Sequence, residues 1–346
     1  VSTQISYAGN CIGVGMVVPR DLAVVLDNKM GDCKDKATLL QALLTARGIA
    51  SEQALINSGG NQYDLPQPPV LEAVNHVMNY LPRWNLYVDA TAENVTFGDL
   101  PLSAYGRPVI HTQTTENTVR TITAERGKTP FQQSAHTTLK LAADGSASGS
   151  VRVQIDGIGA AAWRASFMDM KTEQRDKFVE NLFQRAGMRA SGTLETSDLA
   201  PALRLSNHFE VKLDLQVKNF LTARSGAFFP FSPYGGNLHR MAAWDNSKTY
   251  ARDLPCYGMK LHEVFDITLE PGVQLLHAPE SLTLDTPYLA FKSKVQKHKK
   301  GLRIERSLHD KTPAGTCSAA YFNAWLKDAA TVAENLQQQV LYKRKP

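Results

Sequence analysis

Gly31-Asp32-Cys33-Lys34-Asp35-Lys36-Ala37-Thr38-Leu39-Leu40-Gln41-Ala42-Leu43-Leu44-Thr45-Ala46-Arg47-Gly48 decides how the 346-residue chain is read. Ala37, Leu40, Leu44 and Arg47, flanked by Leu43, recur at three- and four-residue steps, which predicts a helix over 33–47. Gly48 supplies the usual stop. Asp32 is a good N-cap, and Asp35, three residues on, can reach back to it as in a capping box. Cys33 then stands at the first helical position. There it faces unpaired backbone N–H groups and the positive end of the helix dipole, which favour thiolate over thiol. The same N–H groups can donate to an oxyanion when a carbonyl carbon is attacked. An inert buried thiol is the commoner role for a cysteine, but Gly31, Asp32, Lys34 and Asp35 form a polar rim.

A cysteine nucleophile needs a base and a group that orients the base. Ala54-Leu55-Ile56-Asn57 reads as a short strand, and a loop rich in Gly, Asn and Pro runs on to Pro69. Val74–Leu81 and Leu86–Ala90 then alternate around Pro82-Arg83-Trp84-Asn85 as a β-hairpin. Pairing symmetric about Pro82 and Arg83 sets Tyr80 opposite Asn85, Met78 opposite Tyr87, Val77 opposite Val88 and His76 opposite Asp89. His76 and Asp89 then share one face with Cβ atoms about 4.5–5.5 Å apart. A carboxylate can accept from one imidazole nitrogen while the other faces the thiol. Such a pair alone is more often structural; its conjunction with Cys33 makes it a catalytic candidate. His111, His136, His208, His239, His262, His277, His298 and His309 have no acidic partner at an arguable register and read as surface or packing residues.

Three segments, Gly31 to Leu40, Val74-Asn75-His76-Val77 and Leu86-Tyr87-Val88-Asp89-Ala90-Thr91, closely resemble in content and order the transglutaminase-like core of bacterial proteins. The resemblance covers about residues 1–110 and matches Cys33 to the nucleophile, His76 to the base and Asp89 to the orienting acid. It implies a papain-like α+β core, a nucleophile helix on an antiparallel sheet, with a β-rich domain before it and β-rich sequence after it. Helical spacing near the C-terminus adds a helix, so the fold expected is an α+β papain-like transglutaminase core followed by a β-rich domain with a C-terminal helix. The resemblance also implies acyl transfer without a cofactor and, since many members are exported, a periplasmic or extracellular location. Val1 to Tyr7 resembles only the end of the helix and the Ile-x-Tyr strand that lead into such cores, so the start of the core is expected to be cut. For a side-chain oxyanion donor upstream of Cys33, Tyr7 is the nearest candidate, with Asn10 and Asn28 weaker.

After the irregular stretch from Pro101 to Pro108 the pattern changes. Segments around Thr137–Leu141, Gly149–Ile155, Leu203–Val217, His262–Leu269, Leu282–Leu284 and Leu302–Ser307 predict strands, and 159–170 and 173–186 predict helices. Phe322, Trp325, Leu326, Ala329, Val332, Leu336 and Val340 fall at helical spacing. Two domains are expected, a core over 1–125 and a β-rich region over 126–346, itself open to division into two subdomains, with the linker between Pro101 and Pro130. Charge divides similarly: residues 1–125 hold 8 Lys+Arg against 12 Asp+Glu, and the remainder 30 against 21. Much of the excess lies in Lys292, Lys294, Lys297, Lys299 and Lys300. Such a run is ordinarily a solvated hairpin tip, with contact to a polyanion or membrane surface as its other use. No aromatic side chains interleave with it, so nucleic acid is not an expected partner.

No run approaches the ~18 apolar residues of a membrane helix. Four cysteines do not make a disulfide framework; Cys256 and Cys317 can pair in an oxidising compartment, but the sequence does not bring them together. No CxxC or HxxxH spacing supports a zinc site. The chemistry expected is cysteine-dependent acyl transfer on a peptide or protein amide, by a peptidase or amidase if water resolves the acyl-enzyme and by a transglutaminase if an amine does. Hydrolysis is favoured because it needs a single organised cleft. The alternative, from another class, is a catalytically silent transglutaminase-like binding or scaffolding protein of the cell envelope. Trp163, Trp244, Trp325, Tyr234 and Tyr257 can line a sugar-binding face, but their spacing suits core packing better.

Overall fold

A computed structural model describes residues 1–9, 17–59, 65–66, 68–113, 119–121, 131–185, 187–200, 205–242, 249–313 and 315–345. Asn10, Leu203, Trp244 and most of the expected linker after His111 lie outside the described residues. The protein is α+β and divides into two compact units. The first comprises Val1–Gly127 with two later segments, Arg252–Tyr257 and Pro313–Ser318, and the second holds the rest.

In the first unit β1 (Ser6–Tyr7) pairs in parallel with β2 (Met30–Gly31). Between them lies α1 (Leu22–Asn28), which begins where Asp21 accepts from the Ala23 N–H and ends at Lys29 in the left-handed conformation. α2 (Cys33–Ala46) follows, and an antiparallel sheet in the order β5-β4-β3-β6-β7 is built from β3 (Glu52–Ile56), β4 (His76–Leu81), β5 (Leu86–Val88), β6 (Pro108–His111) and β7 (Val119–Thr121). Alternation along the strands separates two faces. On one, Asn79 Nδ2 donates to the Ala37 carbonyl of α2 (3.0 Å) and Gln53 Nε2 to Thr38 Oγ1 (3.0 Å). On the other, Ile56, Met78 and Val109 are buried with Leu100 and Ala104. The returning segments pair as β13 (Leu254–Cys256) and β19 (Gly315–Cys317), joined by a Cys256–Cys317 disulfide that the sequence left open.

The second unit is built on an eight-stranded sheet in the order β10-β11-β9-β8-β14-β18-β17-β16. Its strands are β8 (Phe131–Leu141), β9 (Ala147–Gly157), β10 (Arg189–Thr196), β11 (His208–Lys218), β14 (Lys260–Leu269), β16 (Leu282–Asp285), β17 (Leu289–His298) and β18 (Gly301–Asp310). Only the β8–β14 pair is parallel. Period-2 burial puts Val151, Val153, Ile155, Val211, Leu213 and Ile304 into a core shared with Phe167 of α3 (Gly159–Met168) and Val179 and Phe183 of α5 (Phe178–Gln184), which α4 (Thr172–Asp176) precedes. A second cluster packs Trp325, Leu326, Val332 and Leu336 of α7 (Ala319–Leu336) against Leu238 of α6 (Leu238–Ala242), Leu289, Phe291 and Leu308. β12 (Ser225–Phe228), β15 (Val273–His277) and β20 (Val340–Arg344) form a small sheet of their own.

Three expectations change. The helix over 173–186 breaks at Lys177, which caps both α4 and α5. Helical spacing through Val340 ends at Leu336, and Val340 instead opens β20, where it and Tyr342 are buried by alternation. The strand over 203–217 begins only at His208. Trp163 and Tyr234 pack edge to face at 5.6 Å within the first cluster and Trp325 lies in the second, so these aromatics are core residues.

Candidate active site

Asp32 caps α2: its Oδ1 accepts from the N–H groups of Lys34 (3.1 Å) and Asp35 (3.2 Å), and Asp35 Oδ2 accepts from the Asp32 N–H (3.0 Å). The capping box read from the sequence is therefore complete, and Cys33 is the first helical residue. The box also limits the oxyanion role expected of this turn. Two first-turn amides already donate to Asp32, so among the described residues the Cys33 N–H is the first-turn amide left for an oxyanion.

The acidic neighbours are held by cations and amides. Asp35, fully buried, accepts from the Arg20 amide (2.7 Å) and from Arg20 Nε (2.9 Å) and Nη2 (2.6 Å). Burial, the largest influence, raises its pKa; the hydrogen bonds from Arg20 and the Asp32 amide outweigh it and hold the carboxyl below its ordinary value. Lys34 Nζ contacts Asp32 Oδ2. Lys36, wholly buried, donates to the Ser2 carbonyl at 3.2 Å and stands 4.0 Å from Glu93. Burial depresses its pKa, against the attraction of Glu93 and Asp89. Gly31 is needed here because a Cβ on it would stand 2.9 Å from Asp35 Cβ.

His76 opens β4. Just before it, Asn75 Oδ1 accepts from the Ser58 N–H (2.9 Å) and Asn75 Nδ2 donates to Asn57 Oδ1 (3.2 Å), fixing the approach to the strand. The His76 ring bonds Asp89 Oδ2 through Nε2 at 2.8 Å, with both side chains largely buried. The Cys33 thiol is near enough to the ring to raise its pKa, and Nδ1 is the ring nitrogen not bonded to Asp89. Asp89 Oδ1 accepts from the Thr91 N–H (2.8 Å) and Oγ1 (2.7 Å). Burial is the largest influence on His76 and pushes its pKa down, but the hydrogen bonds and attractions from Asp89 and Cys33 together bring it up to about 9. Asp89 is correspondingly held low, because the bonds from His76 and Thr91 outweigh its desolvation.

The hairpin brings His76 to Asp89 in a different register from the one expected. The closing pair is Leu81–Leu86, with Tyr80 opposite Tyr87 and Asn79 opposite Val88. Pro82–Trp84 form a 3₁₀ turn, and Asn85 in the left-handed conformation completes a four-residue loop where a two-residue turn was assumed. The offset is two residues, so the facing parity survives, and His76 and Asp89 meet as diagonal neighbours rather than directly opposed ones.

Other parts were not anticipated. Thr91 is one, although Asp-x-Thr is the pattern of a side chain closing a turn on its own backbone. His111 is another: it is buried, with Nδ1 2.7 Å from Glu52 Oε1 and Nε2 2.8 Å from Tyr87 OH, so the expectation that it lacks an acidic partner is overturned. His136 with Asp266 (2.7 Å), His208 with Asp156 (2.7 Å) and His262 with Glu305 (3.2 Å) likewise find acids, on half-exposed positions. Tyr7 pairs across from Gly31, two residues before Cys33, and is exposed; Asn28 is the last residue of α1 and is exposed too. Cys33 is partly exposed and free, whereas Cys256 and Cys317 are bonded. Among the described residues no three His, Cys, Asp or Glu side chains group as metal ligands.

A solved structure from Parabacteroides distasonis ATCC 8503, described as "a putative protease", is similar to 98% of this chain with 14% sequence identity and a TM-score of 0.52. The likeness is one of fold. The chain spans about half of that protein, 49% of its length. No protein-family model matches the sequence, and no curated protein matches it.

Proposed function

We propose that the first unit is a papain-like transglutaminase core and that Cys33, His76 and Asp89 act as its catalytic triad on a peptide or protein amide. The observation that carries this reading is the His76–Asp89 hydrogen bond beside Cys33, which is near enough to act on the His76 ring and stands at the first position of a capped helix. With its pKa near 9, His76 is an imidazolium at neutral pH, the partner a thiolate requires.

The Cys33 sulfur attacks the amide carbonyl carbon, forming a C–S bond while the carbonyl electron pair moves to oxygen. The Cys33 N–H donates to that oxyanion. His76 then gives its Nδ1 proton to the departing amine nitrogen, the C–N bond breaks, and a thioester remains on Cys33. Neutral His76 next takes a proton from water, whose oxygen attacks the thioester. Collapse releases the carboxylic acid and restores the ion pair. Asp89 keeps the ring oriented and stabilises its charge throughout.

Water is the proposed acceptor, a choice the fold likeness to a protein described as a protease supports. The Cys256–Cys317 disulfide supports a periplasmic or extracellular location, since such bonds persist in oxidising compartments. The test is turnover of a peptide library with and without a primary amine. Cleavage lost in Cys33→Ala supports hydrolysis, amine incorporation in place of cleavage makes the acceptor an amine, and no Cys33-dependent product on any peptide refutes the enzymatic reading.

A further inference from the structure

The lysines singled out near residue 300 take no part in this chemistry, and the second unit gathers more cations around them. The sheet registers pair Leu141 with Ala147, Leu269 with Leu141, Thr268 with Gly301, Val217 with Ala147 and Arg189 with Lys218. Consequently the β8–β9, β14–β15 and β17–β18 turns and the end of β11 all lie at one end of the sheet. β20 is pinned to the same end, since the Lys345 N–H donates to the Gly272 carbonyl at 2.7 Å and Arg344 Nη1 to the Ala143 carbonyl at 3.1 Å. Lys218, Lys297, Lys299, Lys300, Lys343 and Lys345 are all exposed there. The acids at this end are already engaged. Glu270 pairs with Lys140 at 2.6 Å, and Asp144 accepts from the Ser146 N–H and Oγ and is attracted by Arg344. Lys299, Lys300 and Lys345 are among the residues that line an open recess of about 830 Å3.

We infer that this end of the second unit docks on a bilayer bearing anionic headgroups. The cations sit on several turns at the end of one sheet, an arrangement that presents them together to an extended surface. Lysine supplies compact point charges suited to headgroup attraction without fixed geometry, whereas bidentate recognition of a single phosphate would use arginine. Arg344 is instead committed to the backbone carbonyls of Ala143 and Ala223. Among the described residues no base-stacking platform accompanies the lysines: Phe220, just after β11, packs on Phe228 at 5.4 Å. Each lysine near an anionic membrane adds attraction that decays over a Debye length.

The experiment is cosedimentation of the full chain with phosphatidylglycerol–phosphatidylcholine vesicles and with pure phosphatidylcholine vesicles. Binding should require the anionic lipid and fall as salt is raised. Lys299→Glu with Lys300→Glu should weaken it roughly tenfold or more, while the charge-matched pair Lys260→Glu with Lys327→Glu, at exposed positions elsewhere in the unit, should weaken it far less. Equal loss in both pairs, salt-independent binding, or binding to soluble dextran sulfate but not to the vesicles overturns the inference. Unchanged thermal melting of both variants keeps misfolding out of the comparison. Cys33→Ala should bind as wild type does, so the result is independent of the acyl-transfer reading.

Discussion

Replacing Asp89 by Asn tests the electrostatics of the site with almost no change of shape. In the wild type His76 is raised from 6.5 to about 9, a preference for imidazolium of roughly 3 kcal/mol at about 1.4 kcal/mol per pH unit. Asp89 supplies a hydrogen bond at 2.8 Å and a full negative charge, and the amide retains at most the former without the charge. Burial of the ring, already the largest single influence, then acts downward against Cys33 alone. The His76 ring in Asp89→Asn should therefore titrate well below its wild-type value. A folded-state pKa above the unfolded one makes the folded state bind the extra proton. The stabilisation is thus complete below about pH 6.5 and is lost as pH rises through about 9. Histidine-ring NMR against pH reads the titration directly, and denaturant unfolding at pH 6 and pH 9 reads the linkage. The wild type should lose up to roughly 3 kcal/mol more than the variant over that interval. A wild-type ring titrating near 6.5, or the same high value in both proteins, would refute the reasoning.

Two further outcomes concern the rest of the chain. Burial pushes the Glu263 carboxyl up to about 7 although Arg306 stands directly across from it on β18, so its contribution to stability is present below about pH 4.5 and is lost as pH rises through 7. Unfolding of Glu263→Gln should lack that slope, and a variant with the wild-type pH profile would count against it. The Cys256–Cys317 disulfide closes a separation of 61 residues, for which loop entropy alone suggests about 4 kcal/mol. Melting with and without reductant should differ clearly, and coincident curves would contradict the estimate.

What was legible in the sequence was mostly local. Asp32, Asp35 and Gly48 mark the ends of α2 through short-range hydrogen bonding and a left-handed residue, so its bounds are read to within a residue. The Leu86–Val88 pairing was less accessible, because the conformations of Pro82–Trp84 and Asn85 fix the loop length and neither is stated by alternation alone. The acidic partners of His111, His136 and His262 stand 59, 130 and 43 residues away, joined only by strand pairings that no local pattern announces. β10 was missed because Arg189-Ala190-Ser191-Gly192-Thr193 is polar and lies at the sheet edge, where five of the eight strand residues are exposed. The disulfide was hidden because its cysteines stand 61 residues apart, and the return of Arg252–Tyr257 and Pro313–Ser318 to the first unit was hidden because it bridges a still longer separation from Val1–Gly127.

The most direct measurement is the rate at which iodoacetamide modifies Cys33 at pH 6, located by peptide mass spectrometry in the wild type and in His76→Ala. An imidazolium at His76 should keep Cys33 reactive at that pH, with modification at least roughly tenfold faster in the wild type than in the variant. Equal, slow modification of Cys33 in both proteins would contradict an activated Cys33–His76 pair.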